Sequence, residues 1–198
     1  DYPKTIDAFQ KALAAVEETE HYAEIITVLD YLSEANITIE DYDSALSYLE
    51  RASEVWETAY GDEKNAELSF KKGKVLLLKN KYKAALAVLL ESVALKKKAA
   101  QLLPAALYQD IGKCYESLAQ LDSALIFYSK ANKTAIAGDD FLIQAESFNG
   151  LGNAYQKQGA TKLAQNAYQD AFTIANKTGI REKIMVAANG LYKAYNSQ

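Results

Sequence analysis

"LYQDIGKCYESLAQLDSALIFYSKA", residues 107–131, overlays "SFNGLGNAYQKQGATKLAQNAYQDA", residues 147–171, without a gap at a shift of 40. Tyr108 falls on Phe148, Ile111-Gly112 on Leu151-Gly152, Tyr115 on Tyr155, Ala124 on Ala164, Tyr128 on Tyr168 and Ala131 on Ala171. A step back of 39 puts Gly73, Leu76, Ala85 and Leu89 in the same roles, and a further 40 gives Leu29, Leu32, Ala45, Leu49 and Ala52. A step forward of 40 from "NGLGNAY" lands on "NGLYKAY", residues 189–195. Small and large residues recurring in step at this period mark a helical solenoid.

The spacing says how the unit is built. Counting places from residue 105 or 145, those at four, seven, eight and eleven share one stripe of a first helix. Ala, an aromatic and Ala at places 20, 24 and 27 make a stripe on a second helix. One helix pair cannot bury both stripes, so successive pairs must stack. Gly150, Gly152 and Gly159 each cost a helix about 1 kcal/mol relative to alanine. Gly159 falls where the first helix should end, a position that favours glycine. Gly73, Gly112 and Gly152 are expected at close helix crossings, where small residues let two backbones approach and rings fill the remaining space.

The composition agrees with an all-α chain. Of 198 residues, 49% are hydrophobic and only Pro3 and Pro104 are proline, with abundant Ala, Leu, Lys, Glu and Gln. No apolar run approaches the roughly 18 residues of a membrane span. One cysteine, Cys114, excludes an internal disulfide and leaves the compartment, cytoplasmic or periplasmic, open. The net charge of −4 is unevenly spread: residues 1–65 hold four Lys/Arg against sixteen Asp/Glu, and residues 66–104 hold nine against two. That segregation suggests two different electrostatic surfaces.

With an aromatic, Leu-Gly, Tyr, Ala, an aromatic and Ala in order, the pattern resembles the tetratricopeptide repeat. The period of about 40 and turns such as "AYGDE" (59–63) and "AIAGDD" (135–140) resemble its long-repeat subclass. The resemblance implies a right-handed superhelical solenoid of antiparallel helix pairs. Residues 1–198 then form a single array: a half repeat at 2–21, repeats at 26–65, 66–104, 105–144 and 145–184, and an incomplete repeat at 185–198. Repeats 105–144 and 145–184 match every position but a closing proline; in the earlier two, Ser33, Asn36, Ser69 and Lys72 depart from the pattern. Residues 2–21 read as the second helix of a preceding repeat, with Ala8, Ala12 and Ala15 at its small positions. Leu191, Tyr192 and Tyr195 stay apolar in the last helix, so the parent chain is expected to continue, or that end to self-associate. A chain that starts without Met and without a signal-peptide layout reads as a processed or excised product.

Chemistry finds little purchase. His21 and Cys114 are single, and a nucleophile–base pair or a Cys/His metal site needs a converging cluster. Cys114 stands where the next repeat has Ala154, a packing position. Asp139-Asp140 reads as a helix cap. Two arginines, Arg51 and Arg181, in an acidic chain disfavour a phosphate backbone as partner. No enzyme, cofactor, metal or nucleic-acid partner is expected.

The family resemblance places a partner on the concave face, at places 2, 5, 6, 9 and 12 of each first helix. Place five gives Asp30, Phe70, Gln109, Asn149 and Asn189; place nine gives Glu34, Lys74, Lys113, Asn153 and Lys193. Asn149, Asn153, Asn189 and nearby Gln156 can each donate and accept, which suits the backbone of an extended peptide. Lys74, Lys113 and Lys193 suit acidic side chains or a terminal carboxylate. Asp30 and Glu34 disfavour the family's carboxylate clamp. The candidate peptide-binding residues are therefore Lys74, Gln109, Lys113, Asn149, Asn153, Gln156, Asn189 and Lys193. The leading expectation is a non-catalytic protein- or peptide-binding module of a larger scaffold or bacterial signalling sensor. A peptide-signal receptor domain and a structural spacer are the alternatives.

Overall fold

The computed structural model describes residues 2–19, 21–61 and 64–196. Ten helices follow one another, and no strand occurs among the described residues. Contacts divide the chain between Gln101 and Leu102 into two compact units. The first holds α1 (Tyr2–Glu17), α2 (Tyr22–Thr38), α3 (Tyr42–Tyr60), α4 (Ala66–Leu78) and α5 (Tyr82–Lys98). The second holds α6 (Ala105–Ser117), α7 (Leu121–Ala137), α8 (Phe141–Lys157), α9 (Thr161–Thr178) and α10 (Arg181–Asn196). Each unit is a stack of helical hairpins. The turn expected at "AYGDE" includes residues 62 and 63, which lie outside the described residues, as do residues 1, 20, 197 and 198.

The repeat is visible in the backbone itself. The first helix of each hairpin ends on a residue at positive φ: Glu40, Asn80, Ala119 and Gly159. The next residue then donates its N–H back to the helix, Asp41 to Asn36, Lys81 to Leu76, Gln120 to Tyr115 and Ala160 to Tyr155, each at 2.9 Å. This closure satisfies a carbonyl that the helix end would otherwise orphan. Three of the four positions carry a side chain there, so Gly159 and, more weakly, Asn80 signal the turn in the sequence. Asp140 caps α8 by accepting the N–H of Ile143 at 3.0 Å, the role expected of the aspartate pair.

The glycines make room for rings. In the second unit the Tyr128 ring is packed between Gly112 on α6 and Gly150 on α8. A Cβ would stand 2.7 Å from the ring at the first and 2.5 Å at the second. Tyr168 sits likewise between Gly152 and Gly190, at 2.6 and 2.4 Å. Each tyrosine therefore needs one glycine in its own hairpin and another in the next. In the first unit Leu49 stands at the equivalent position, and the equivalent of Gly150 is Lys71; the shorter side chain needs no second gap. At Gly73 a Cβ would meet the Leu89 side chain at 2.6 Å and its backbone N at 3.3 Å, a closer backbone approach of the kind expected.

One expectation changes. Helix α1 buries Leu13 and packs Ile6, Phe9 and Val16 onto the first core, leaving Ala8 and Ala15 exposed and Ala12 half-buried. With only one hairpin face to cover, its large residues decide the seam. The acidic and basic stretches meet at several ion pairs inside the first unit. Lys71 pairs with Asp30 and Glu34 at 2.6 and 3.0 Å, Lys72 with Glu50 at 3.2 Å, and Lys79 with Asp43. These pairs tie part of the basic stretch to part of the acidic one.

Candidate functional site

In the second unit the first helices α6 and α8, with α10, line a cleft of about 250 Å³. Gln109, Lys113 and Glu116 come from α6; Glu146, Asn149, Gly150 and Asn153 from α8; Lys183 and Val186 from α10. All but Lys183 meet because places two, five, six, nine and twelve recur on one helical face. Tyr128 adds its edge: the ring passes through the slot between Gly112 and Gly150 and its hydroxyl donates to Glu116 at 2.7 Å. Glu116 also accepts from Lys157 at 2.8 Å. Burial, then the Glu116 charge, pushes the Tyr128 phenol well above its usual range, so it stays a proton donor.

Four of the eight expected residues line this cleft: Gln109, Lys113, Asn149 and Asn153. Their situations differ. Gln109 is buried, its carbonyl accepting from the Ser147 hydroxyl at 2.8 Å. Asn149 is 7% exposed, and its Oδ1 is buried with no hydrogen-bond partner. An orphaned buried acceptor costs about 1–3 kcal/mol. Asn153 is exposed, and its Oδ1 accepts from the Tyr168 hydroxyl at 2.7 Å. Gln156 is reached by the same hydroxyl at 2.9 Å. Asn189 and Lys193 are exposed on α10, outside the cleft's lining, and Lys74 belongs to the other unit.

The cleft's lysines already face carboxylates. Lys113 lies 3.4 Å from Asp110 and 3.8 Å from Glu146. Lys183 lies 2.7 Å from Glu146, whose hydrogen bond holds the ammonium above the usual lysine range. Glu146, at place two of its repeat, and Lys183, just ahead of the last repeat, were not among the expected residues; their pairing depends on how α8 and α10 stack. The charge balance leaves amide and carbonyl hydrogen bonding as the distinctive chemistry here.

A further cleft, about 330 Å³, lies between α2 and α4 in the first unit, lined by Ser33, Glu34, Ile37, Thr38, Glu67, Phe70, Lys71 and Lys74. Elsewhere, Cys114 is fully buried, and burial pushes its thiol up to about 12, so it is a protonated packing group. His21 is exposed at the start of α2, 3.6 Å from Glu24. Among the described residues no group of three or more His, Cys, Asp or Glu is placed to hold a metal ion. No helix among them is long and apolar enough to cross a membrane.

Tetratricopeptide repeat patterns match residues 38–98, 105–135 and 145–178, which together take in more than half of the chain. No curated protein matches it in sequence. Among solved structures, BtubC (BKLC) from P. vanneervenii is similar at TM-score 0.80 and 12% identity, over 99% of this chain and 84% of that one. A signal transduction ATPase from Pyrococcus horikoshii, a protein with a tetratricopeptide repeat sensor, is similar at TM-score 0.74 and 17% identity, over 96% of this chain and 30% of that one. YrrB, a repeat protein described as having an unusual peptide-binding site, is similar at TM-score 0.56 and 17% identity, over 96% and 93%. At such identities the likeness speaks for the fold.

Proposed function

We propose that this chain, which belongs to the tetratricopeptide repeat family, is a non-catalytic protein-binding scaffold that holds an extended peptide along α6, α8 and α10. The observation that carries the reading is Asn149: a side-chain carbonyl at the cleft, buried and unpaired, beside Asn153, Lys113 and Lys183. Turned toward the cleft, that acceptor would be satisfied by a passing peptide N–H, and the Asn153 amide offers a second contact one turn on. Lys113 and Lys183 are compensated by Glu146, so main-chain hydrogen bonds rather than net charge would supply the affinity in this unit. A place within a larger scaffold or sensor is part of the same reading, supported by the likeness to the sensor-bearing P. horikoshii protein.

The test is the double substitution Asn149→Ala with Asn153→Ala. Against a peptide selected on the wild-type protein, it should weaken binding by about 1–3 kcal/mol while helical circular dichroism is unchanged. Unaltered affinity would discard the amide pair as the contact.

A second reading, self-association through α10, is favoured by its surface. Met185 is 70% exposed and Tyr192 69%, with Val186 and Tyr195 also exposed beside them. Large apolar side chains grouped on one helix are costly to leave in water.

A further inference from the structure

We propose that α10 pairs antiparallel with α10 of a second copy about a two-fold axis, each Tyr192 seated on the partner's Ala188. The proposal rests on the self-association reading and deepens it, naming the partner surface and its register.

Tyr192 itself selects the partner. In three hairpins the second helix lays its place-24 side chain on a glycine at place eight of the first. A Cβ would meet Leu89 at Gly73, Tyr128 at Gly112 and Tyr168 at Gly152. Place eight is Ser33 in the remaining repeat, and in α10 it is Tyr192. The exposed Tyr192 ring fills the space that a second helix of this kind needs for its own large side chain. A surface that fits over α10 must be small opposite that ring.

The same helix carries such a surface. Its inner side is taken up by α8 and α9: Ala187 and Ala194 are fully buried, and Gly190 receives the Tyr168 ring. On its outer side Met185, Ala188, Tyr192 and Tyr195 stand three, four and three residues apart, the spacing of a two-helix seam. Ala188 is half-buried and the other three are exposed. Turned end for end, this seam complements itself. Tyr192 falls on the partner's Ala188 and Met185 on the partner's Tyr195, which sets a ring on a methyl group and a thioether on a ring. A parallel pairing would set ring on ring and alanine on alanine, crowding one layer and leaving a gap in another.

The charges favour the same reversal. Glu182 and Lys193 lie on one flank of the seam, about three turns apart. Antiparallel pairing brings each Glu182 toward the partner's Lys193 and opposes the two helix dipoles. Within the chain Glu182 reaches Lys183 at 3.7 Å, and that lysine is held closer by Glu146, at 2.7 Å. A seam of one helix from each copy is short of a standard interface, so the dimer is a weak one.

Sedimentation equilibrium up to millimolar chain should fit monomer and dimer alone, since a two-fold contact closes on itself. In a mixture of isotope-labelled and unlabelled chains, filtered NOEs should join the Ala188 methyl to the Tyr192 ring and the Met185 methyl to the Tyr195 ring. Glu182→Lys and Lys193→Glu should each weaken the dimer about tenfold, because either makes both flanking contacts repulsive. Mixed together, the two variants should recover the wild-type affinity, each meeting opposite charges on the other. Asn149→Ala with Asn153→Ala should dimerise as the wild type does, so the peptide reading is judged separately. A monomer at every concentration would overturn this pairing together with the self-association reading. A dimer without recovery on mixing, or species larger than a dimer, would overturn the pairing alone.

Discussion

Replacing Gly150 by alanine tests the packing on which the second unit rests. A Cβ there would stand 2.5 Å from Cε1 and Cζ of Tyr128 and 2.7 Å from Cε2. The ring cannot slide away, because Gly112 is filled from the other side, with Cδ1 only 2.7 Å from where its own Cβ would be. The hydroxyl is tied to Glu116 as well. Overpacking of this kind costs about 1–3 kcal/mol, and alanine returns about 1 kcal/mol of helix propensity. With the ring held on two sides the upper half of the range applies, for a net loss of about 1–2 kcal/mol. The sign should reverse once the ring is removed. Tyr128→Leu, the residue found at Leu49, costs about 2–4 kcal/mol alone through the lost volume and hydrogen bond. In that background Gly150→Ala should stabilise, giving a coupling of about 2–3 kcal/mol. Urea unfolding followed by helical circular dichroism, with the slope checked for constancy, measures all four corners. Gly138→Ala is the control, since its Cβ would meet only the Thr134 carbonyl at 3.7 Å. The same effect of Gly150→Ala in both backgrounds would refute the idea that this glycine exists to admit the ring.

Alkali should destabilise the second unit. Burial, then the Glu116 charge, raises the Tyr168 phenol from its ordinary 10 to about 12, while the unfolded chain titrates at the ordinary value. Stability is therefore complete below pH 10 and falls, by up to about 2 kcal/mol, as pH rises from 10 to 12. Urea midpoints across that range should fall less steeply in Tyr168→Phe; an identical slope would count against it. The exposed α10 surface predicts concentration-dependent sedimentation, removed by Tyr192→Lys with Tyr195→Lys. A monomer at every concentration would dismiss the self-association reading.

The fold was legible because it is written in a pattern that tolerates substitution: Ala124 and Ala164, Tyr128 and Tyr168, Gly112 and Gly152 keep step whatever lies between them. What was hidden depends on pairs of residues rather than on positions. Glu40, Asn80 and Ala119 take the same left-handed turn as Gly159 without its glycine, because the backbone closure repeats and the side chain is free to vary. Which lysine of the basic stretch would meet which acid was hidden until stacking set Lys71 against Asp30 and Lys72 against Glu50. Place numbering put Gln109, Lys113, Asn149 and Asn153 on one face. It covers Glu146 as well, at place two, but could not say that Lys183 would pair with it, or that Asn149 would be left without a partner.

One such pairing can still be read backwards into the sequence. A tyrosine at place 24 demands glycine at place eight of its own repeat and at place six of the next, which Tyr128 and Tyr168 obey through Gly112, Gly150, Gly152 and Gly190. Leucine at place 24 lifts the second demand, and Lys71 then occupies place six after Leu49. That freed position is the one whose ammonium clamps Asp30 and Glu34. Ring size in one helix thus decides whether the next presents a gap or a charge, and so which kind of cleft each unit can offer a partner.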